Sequence, residues 1–531
     1  MKLNYKRVIY VGFAFFLITA FWQAYDTIVP KILTDKFGLP QVWSGAIMAL
    51  DNIFALILLP IFGALSDKVS SKHGRRTPFI VIGTVVAAVL LVCLSIPDNA
   101  QLQRIEKVTG TEGAAYTEAL EEIWEANPNV SFDVNGESAE DTRPLQDVFA
   151  GDKEAFTSIT VTVKDADGKE ITNDKYNNIV VPARQAYAAG VTSQSYAPLI
   201  IFMLLLFFVL VAMGTFRSPA VALMPDVTIK PLRSKANAVI NLMGTAGGIL
   251  VLLLGIVFGT GKVKNALMSY TTFFASVAGI MMVALAVFLW KVREPQWAAE
   301  MQEESARLGL DAPEESSESA DEMRTLSRSE KLSLVLILAS VVFWFMGYNA
   351  VTSKYSVYAG SVLGVDYNTT LLIAQGAAIA AYLPVGMLSS KLGRKKMILA
   401  GVAILCGSFL GASFLSAGSP DLVKNILMPT LFATAGIGWA TINVNSFPMV
   451  VELSRGSNVG KYTGIYYTAS MSAQIATPVL SGALMDINMR TLFPYAAFFV
   501  ALAFLTMFFV RHGDAKPDAK AVMLDAMGGD D

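Results

Sequence analysis

The chain has 531 residues, of which 54% are hydrophobic and only 16% charged, with a mean hydropathy of +0.50. A soluble protein of this length usually carries about 25% charged residues, so lipid is expected as the main solvent. A net charge of −2 gives no basic surface for nucleic acid, and two histidines, His73 and His512, exclude a His-rich metal centre. Cys93 and Cys406 lie inside apolar runs and read as small buried hydrophobes, not as a disulfide or metal pair.

A membrane-spanning helix needs about 20 mostly apolar residues, and lipid favours helices because it cannot satisfy free backbone groups. Twelve runs qualify: 8–30, 41–65, 78–97, 196–226, 236–259, 266–290, 331–358, 367–390, 396–417, 422–451, 461–483 and 491–511. The first has no cleavage-site pattern and reads as a retained span. The segment 98–195, with 18 acidic and 8 basic residues, is expected as a small α/β insert between the third and fourth spans. Its stretch SITVTVKDADGKEITNDKY alternates like two strands around a turn at Asp167 and Gly168. Residues 295–330, including APEESSESADE, read as a flexible linker, and 512–531 as a tail.

Lys and Arg in short loops set orientation. With the N-terminus inside, the inner segments carry 16 basic residues and the short outer loops six: Lys31, Lys36, Lys262, Lys264, Lys424 and Arg490. Both termini are therefore expected in the cytoplasm and the insert outside, in a plasma-membrane protein.

The chain also repeats itself. GALSDKVSSKHGRRTPFIVIG at 63–83 has a shorter echo in GMLSSKLGRKKMILAG at 386–401, and residues 218–250 are loosely echoed at 447–480. This predicts an all-α membrane protein of two six-helix halves, residues 1–97 with 196–294 and residues 331–511. GTGKV at 259–263 is not a phosphate loop, because Ile256 and Val263 stand where Gly and Ser/Thr are needed. No enzyme motif, cofactor site or metal site is seen, and a monomer is expected.

The spacing of Gly63, Asp67, Gly74, Arg75 and Arg76 resembles the signature loop of the major facilitator superfamily, and its longer form SDKVSSKHGRRTPFI is similar to that of the sucrose transporters and the glycoside–cation symporters. The resemblance covers the spans, not the insert or the linker. It implies twelve helices in two parallel repeats with a small molecule held midway between them. It also implies a cytoplasmic latch, in which Asp67 meets the N-terminus of span 11 near Gly460 and Lys461, together with an Arg of its own loop.

Charges inside spans are costly and mark function or pairing. Asp51, followed by Asn52, and Asp26 are candidates for coupling to H+ or Na+; Arg217 and Lys354 are candidate charge partners or gates. Plant sucrose transporters carry an acid and an Arg in their fourth span where this chain has Leu210 and Val221, so any coupling residue is expected elsewhere. Lys354 is expected to reach toward the headgroups.

A sugar needs flat apolar faces and polar side chains for its hydroxyls. The spans offer Trp22, Gln23, Tyr25, Asn241, Trp344, Tyr348, Asn349, Gln375, Asn443, Asn445, Tyr466 and Gln474. The reading is a secondary active sugar transporter, of a disaccharide or other glycoside, coupled to H+ or Na+. An uncoupled facilitator or exporter of the same fold, and a membrane receptor whose outer domain binds a ligand, stay open as alternatives.

Overall fold

The computed structural model describes residues 3–69, 71–130, 142–164, 170–173, 175–229, 232–307, 328–416, 419–452 and 459–512. Its long helices are α1 (Tyr5–Lys31), α2 (Gln41–Lys68) and α3 (Thr77–Cys93), which runs on into α4 (Ser95–Arg104). The segment that follows contributes α5 (Gly113–Ala126), β1 (Asn129–Val130), β2 (Arg143–Pro144), α6 (Leu145–Val148), α7 (Lys153–Thr157), β3 (Thr162–Lys164), β4 (Glu170–Thr172) and α8 (Val181–Gln194). After it come α9 (Ala197–Asp226), α10 (Arg233–Phe258), α11 (Thr271–Lys291) and α12 (Glu294–Arg307). The rest is α13 (Arg328–Tyr358), α14 (Tyr367–Leu392), α15 (Arg394–Ser413), α16 (Asp421–Glu452), α17 (Val459–Ile487) and α18 (Leu492–Phe508).

Ten helices among the described residues are long and apolar enough to cross a membrane. Two of the twelve expected spans, α14 and α17, are helices of 26 and 29 residues rich in Ser, Thr and Tyr, and are not among the ten.

The chain divides into two compact units. The first holds residues 1–312 together with 355–368 and 486–489, and the second holds the remainder. In the first, α1 packs most extensively on α10, and α9 on α2 and α3. Small residues permit this, as lipid-exposed helices lack a hydrophobic drive to associate. A Cβ on Gly12 would lie 2.6 Å from Met243 Cγ, and one on Gly244 would lie 3.0 Å from Thr19 Oγ1. In the second unit α15 packs on α16 and α18, with Gly401 and Gly438 so close that a Cβ on either would lie within 3.0 Å of the other's carbonyl oxygen.

Residues 98–195 are mainly helical and carry two short antiparallel ladders, β1 with β2 and β3 with β4; the turn at Asp167 and Gly168 lies outside the described residues. Their core gathers Ile105, Leu120, Trp124, Phe156 and Tyr176, and packs on Val263 and Leu267 of the loop after α10.

Three expectations are corrected. The start of the presumed linker is the ordered helix α12, whose Trp297 is buried, with Arg7 2.5 Å from Glu300 and stacked 5.3 Å over the Trp297 ring; residues 308–327 lie outside the described set. Lys31, Lys36 and Lys424, counted above as loop charges, are all buried. Lys354 is fully buried as well, so it does not reach toward the headgroups.

Candidate functional site

In the first unit the helical spacing of α1 puts Trp22, Tyr25 and Asp26 on one face. Phe21, Trp22 and Tyr25 form an aromatic nest, with Trp22 set edge-on to both others at 5.3 Å. Arg217 of α9 lies 5.5 Å over the Trp22 ring. Asp51 of α2 accepts hydrogen bonds from the Asn52 backbone N at 2.6 Å and from its Nδ2 at 2.7 Å, so Asn52 spends its donors on its neighbour. Asp51 acts electrostatically on Asp26, and Arg217 acts on both. Among the described residues Arg217 forms no direct ion pair with either carboxylate. The cluster thus sets two carboxylates against one guanidinium. The hydroxyl of the fully buried Tyr25 and Trp22 Nε1 have no hydrogen-bond partner, an unusual state for buried polar groups. Gln23 accepts, through its backbone carbonyl, from the Thr27 hydroxyl at 2.7 Å. Asn241 stands apart from this cluster on an exposed position of α10.

In the second unit Trp439 of α16 stacks flat on Tyr348 of α13 with ring centroids 3.6 Å apart, and Phe345 closes one edge at 5.2 Å. The two rings thus lie parallel, face to face. One helical turn beyond Trp439, Asn443 shares a hydrogen bond with Tyr382. Asn349 Nδ2 is buried without a partner.

Other expected sugar ligands prove to be engaged locally. Asn445 Nδ2 donates to Thr441 O at 2.8 Å, Gln474 Nε2 lies 3.4 Å from Ser470 O, and the Tyr466 hydroxyl pairs with that of Ser446 at 2.9 Å. Trp344 is fully buried, and Gln375 sits part-buried on α14.

The signature loop is a dense charge network. Arg76 binds Asp67 at 2.5 Å and Asp226 at 2.8 Å, and Arg75 binds Asp226 at 2.7 Å. Burial works against the Arg76 charge, but the hydrogen bonds it donates to Asp226 and Asp67 outweigh it and raise the guanidinium's pKa. Glu294, 2% exposed, accepts from the backbone N of Arg75, Arg76 and Thr77 at 2.8 Å and from the Thr77 hydroxyl at 2.7 Å. It thereby caps α3 with a charge on the favourable end of the helix dipole. Gly74 has φ +103 and packs against the Glu294 side chain, so both its backbone and the space demand glycine. Gly63 gives its carbonyl to Arg76 at 3.4 Å. The side chains near Gly460 and Lys461 lie outside the described residues, so only the loop's own half of the expected latch is seen.

Asp226 and Glu294 were missed from sequence. Each is an acid at the end of an apolar run flanked by basic residues, in MPDVTIKPLRSK and KVREPQW. That placement signals a partner for a neighbouring basic loop.

Comparison with known proteins gives consistent findings. A model described as the Major Facilitator Superfamily matches residues 183–447 and 374–524, and one described as MFS/sugar transport protein matches residues 10–103. A symporter of Bacillus subtilis is 30% identical over 125 residues, covering 23% of this chain and 26% of that protein. A sucrose transport protein of Arabidopsis thaliana is 34% identical over 60 residues, covering 11% of this chain and 12% of that protein. The chain thus spans about a quarter or less of the length of these relatives. Among solved structures, the xylose transporter XylE from E. coli in an inward-open conformation aligns over 99% of this chain and 100% of its own, with a TM-score of 0.54 and 15% identity. The nucleoside transporter NupG aligns over 95% of this chain and 100% of its own, with a TM-score of 0.53 and 12% identity. These two likenesses are of fold.

Proposed function

The chain belongs to the Major Facilitator Superfamily and is a multi-pass membrane protein, and from this we propose that it is a secondary active transporter of a sugar, coupled to a cation and working by alternating access. Twelve spans, cytoplasmic termini and an outward-facing insert belong to the same reading. The sugar is supported by the match of residues 10–103 to a sugar-transport family model and by the relatives' names, a symporter and a sucrose transport protein.

The observation that carries the coupling is the imbalance in the first unit: Asp26 and Asp51 against Arg217 alone. A lone charge at the centre of a span costs about 2.5–3.5 kcal/mol or more, so one unmatched carboxylate favours the arrival of H+ or Na+. The cation neutralises the cluster, and Trp22 Nε1 and the Tyr25 hydroxyl are then free to donate to substrate oxygens. In the second unit the outer face of the Trp439–Tyr348 stack suits the C–H face of a sugar, with Asn349 and Asn443 as hydroxyl partners. Asp67 with Arg75 and Arg76 acts as the cytoplasmic latch that holds one state of the cycle.

The test uses the full chain in sealed vesicles with radiolabelled sucrose, maltose, melibiose and xylose, each under a pH gradient, a Na+ gradient or none. At least one sugar should accumulate only with a gradient. Asp51→Asn keeps the shape and removes the charge, and should abolish accumulation while leaving sugar exchange in part. Normal gradient-driven accumulation by Asp51→Asn would refute its coupling role. Loss of all transport, restored by adding Arg217→Gln, would reduce Asp51 to a structural partner of Arg217.

A further inference from the structure

Two short pieces of the chain's second half fall within the first unit, residues 355–368 and 486–489. In the first piece, Ala359–Leu363 continues α13 as a π-helical turn ended by Gly364 at φ +66. That turn packs on the π-helical turn Tyr176–Val180 of the insert. Next to it the Thr260 hydroxyl meets the Tyr367 hydroxyl at 2.9 Å and accepts from Asn368 Nδ2 at 3.1 Å. Buried Lys31 donates to Thr260 O at 3.1 Å and lies 5.6 Å over the Tyr367 ring. A Cβ on Gly255 would strike Asn368, and one on Gly261 would strike Asp366. In the second piece, the Asp486 carboxylate accepts from the backbone N of Gln41 and, at 2.7 Å, of Val42. These amides open α2, whose N-cap, Pro40, supplies no side-chain acceptor.

The surface that receives these pieces is tied together much more strongly. Lys36 and Asp98 are both fully buried and lie 2.7 Å apart, and Lys36 also donates to Met268 O at 2.7 Å and sits 4.4 Å over the Tyr270 ring. Gln101 donates to Lys36 O and Thr192 to Phe37 O, each at 2.9 Å. The end of α1, the insert and the loop after α10 are thus joined by a desolvated ion pair with its remaining valences filled, which is hard to break. By contrast, the bonds at the captured pieces are hydroxyl and amide bonds beside the Lys31 cation, and a carboxylate on the two backbone amides that open α2. Each of these is weak enough to break and re-form in a working cycle.

We propose that the insert, the end of α1 and the loop after α10 form a dock, and that Tyr367 with Asn368, and Asp486 with the start of α2, are two releasable clasps that hold residues 355–368 and 486–489 on the first unit. This gives residues 98–195 a role in transport and makes α2 a helix that is held at both ends in alternation, by Asp67 at one and by Asp486 at the other. The proposal rests on the alternating-access reading above.

Nitroxide labels at Trp43→Cys and Ile487→Cys, both exposed positions flanking the second clasp, report its opening in the purified full chain with Cys93→Ser and Cys406→Ser. Pulsed electron paramagnetic resonance should show one short distance and a minor longer one. Asp486→Ala, or Asp486→Asn should the first fold poorly, should raise the longer-to-shorter ratio about two- to fivefold, as expected for a carboxylate at a helix start. An oxidised Thr260→Cys/Asn368→Cys pair should remove the longer population, and reduction should restore it. A single short distance in every variant, or a longer population indifferent to Asp486 and to the cross-link, would overturn the clasps. The distances need no sugar, so failure of every sugar to accumulate would sink the proposed function without touching this result.

Discussion

The two echoing loops of the chain solve one problem in two ways. Both hold a glycine at positive φ immediately before an arginine that begins or precedes a helix: Gly74 at φ +103 before Arg75, and Gly393 at φ +89 before Arg394. In the first loop the basic residues meet acids brought from elsewhere, Asp226 from the end of α9 and Asp67 from the end of α2, while Glu294 from α12 takes the backbone amides. In the second, Lys395 donates to the carbonyls of Phe508 and Val510, at 2.9 and 2.5 Å, at the C-terminal end of α18. A cation on a helix C-terminus is a staple that needs no second charged side chain. An ion network with a half-exposed member is different, because Asp67, 57% exposed at its side chain, can change partners at little cost. The repeat kept the turn, and among the described contacts the first loop meets acids while the second meets helix-end carbonyls.

The largest effect is expected at Glu294. Glu294→Ala leaves the amides of Arg75, Arg76 and Thr77 and the Thr77 hydroxyl without an acceptor in a buried place. Each orphaned donor costs about 1–3 kcal/mol, so the first unit should lose several kcal/mol, seen as a large fall in the thermal midpoint in detergent or as loss of monodisperse protein. An unchanged midpoint would mean that water reaches the loop and that the acid is not its keystone. A smaller and different effect is expected at Asp67. Its ion pair is too exposed to carry more than about 0–1 kcal/mol of stability, so Asp67→Ala should fold and insert normally. Transport should nevertheless fall about fivefold or more, the usual size of a coupling between states, at equal amounts of protein in the membrane. Equal flux would make the network merely structural, and the contrast between the loops would vanish.

Much of this could be seen in the sequence, and the limits have physical reasons. The helices follow from apolar length, because lipid admits few alternatives. The paired carboxylates and Arg217 were legible because charge in a span is rare enough to stand out. Sugar ligands are less legible: Asn445, Gln474 and Tyr466 are polar in a span, and each makes a bond within its own neighbourhood. Type alone does not say where an amide points. Lys36 with Asp98 and Asp486 with the start of α2 were invisible because their partners are 62 and 444 or more residues apart. Lys36 looked like a loop charge only because α1 continues as a π-helical turn over Ile32–Lys36, carrying it past the end of the apolar run.

The smallest effect, and the one that sharpens the contrast most, is expected at Lys395. Lys395→Met keeps the long apolar stem and removes only the ammonium that meets Phe508 O and Val510 O. Helix-end carbonyls have other recourse: the last turn of α18 lies beside exposed Phe508 and Phe509, where water or lipid headgroups can replace the lost donor. The loss should therefore be about 0.3–1 kcal/mol, the worth of a cation at a helix C-terminus, visible as a slight drop in the thermal midpoint. Transport should be unchanged, because the ammonium holds backbone carbonyls at the end of α18 and its loss leaves the first loop's ion network in place. If Lys395→Met instead stopped transport as Asp67→Ala is expected to, with stability intact, the second loop would be a switch as well. The two halves would then have kept the device and changed only its chemistry, and the dependence on acids in the first loop would reflect which helix end each loop faces, not a division of labour.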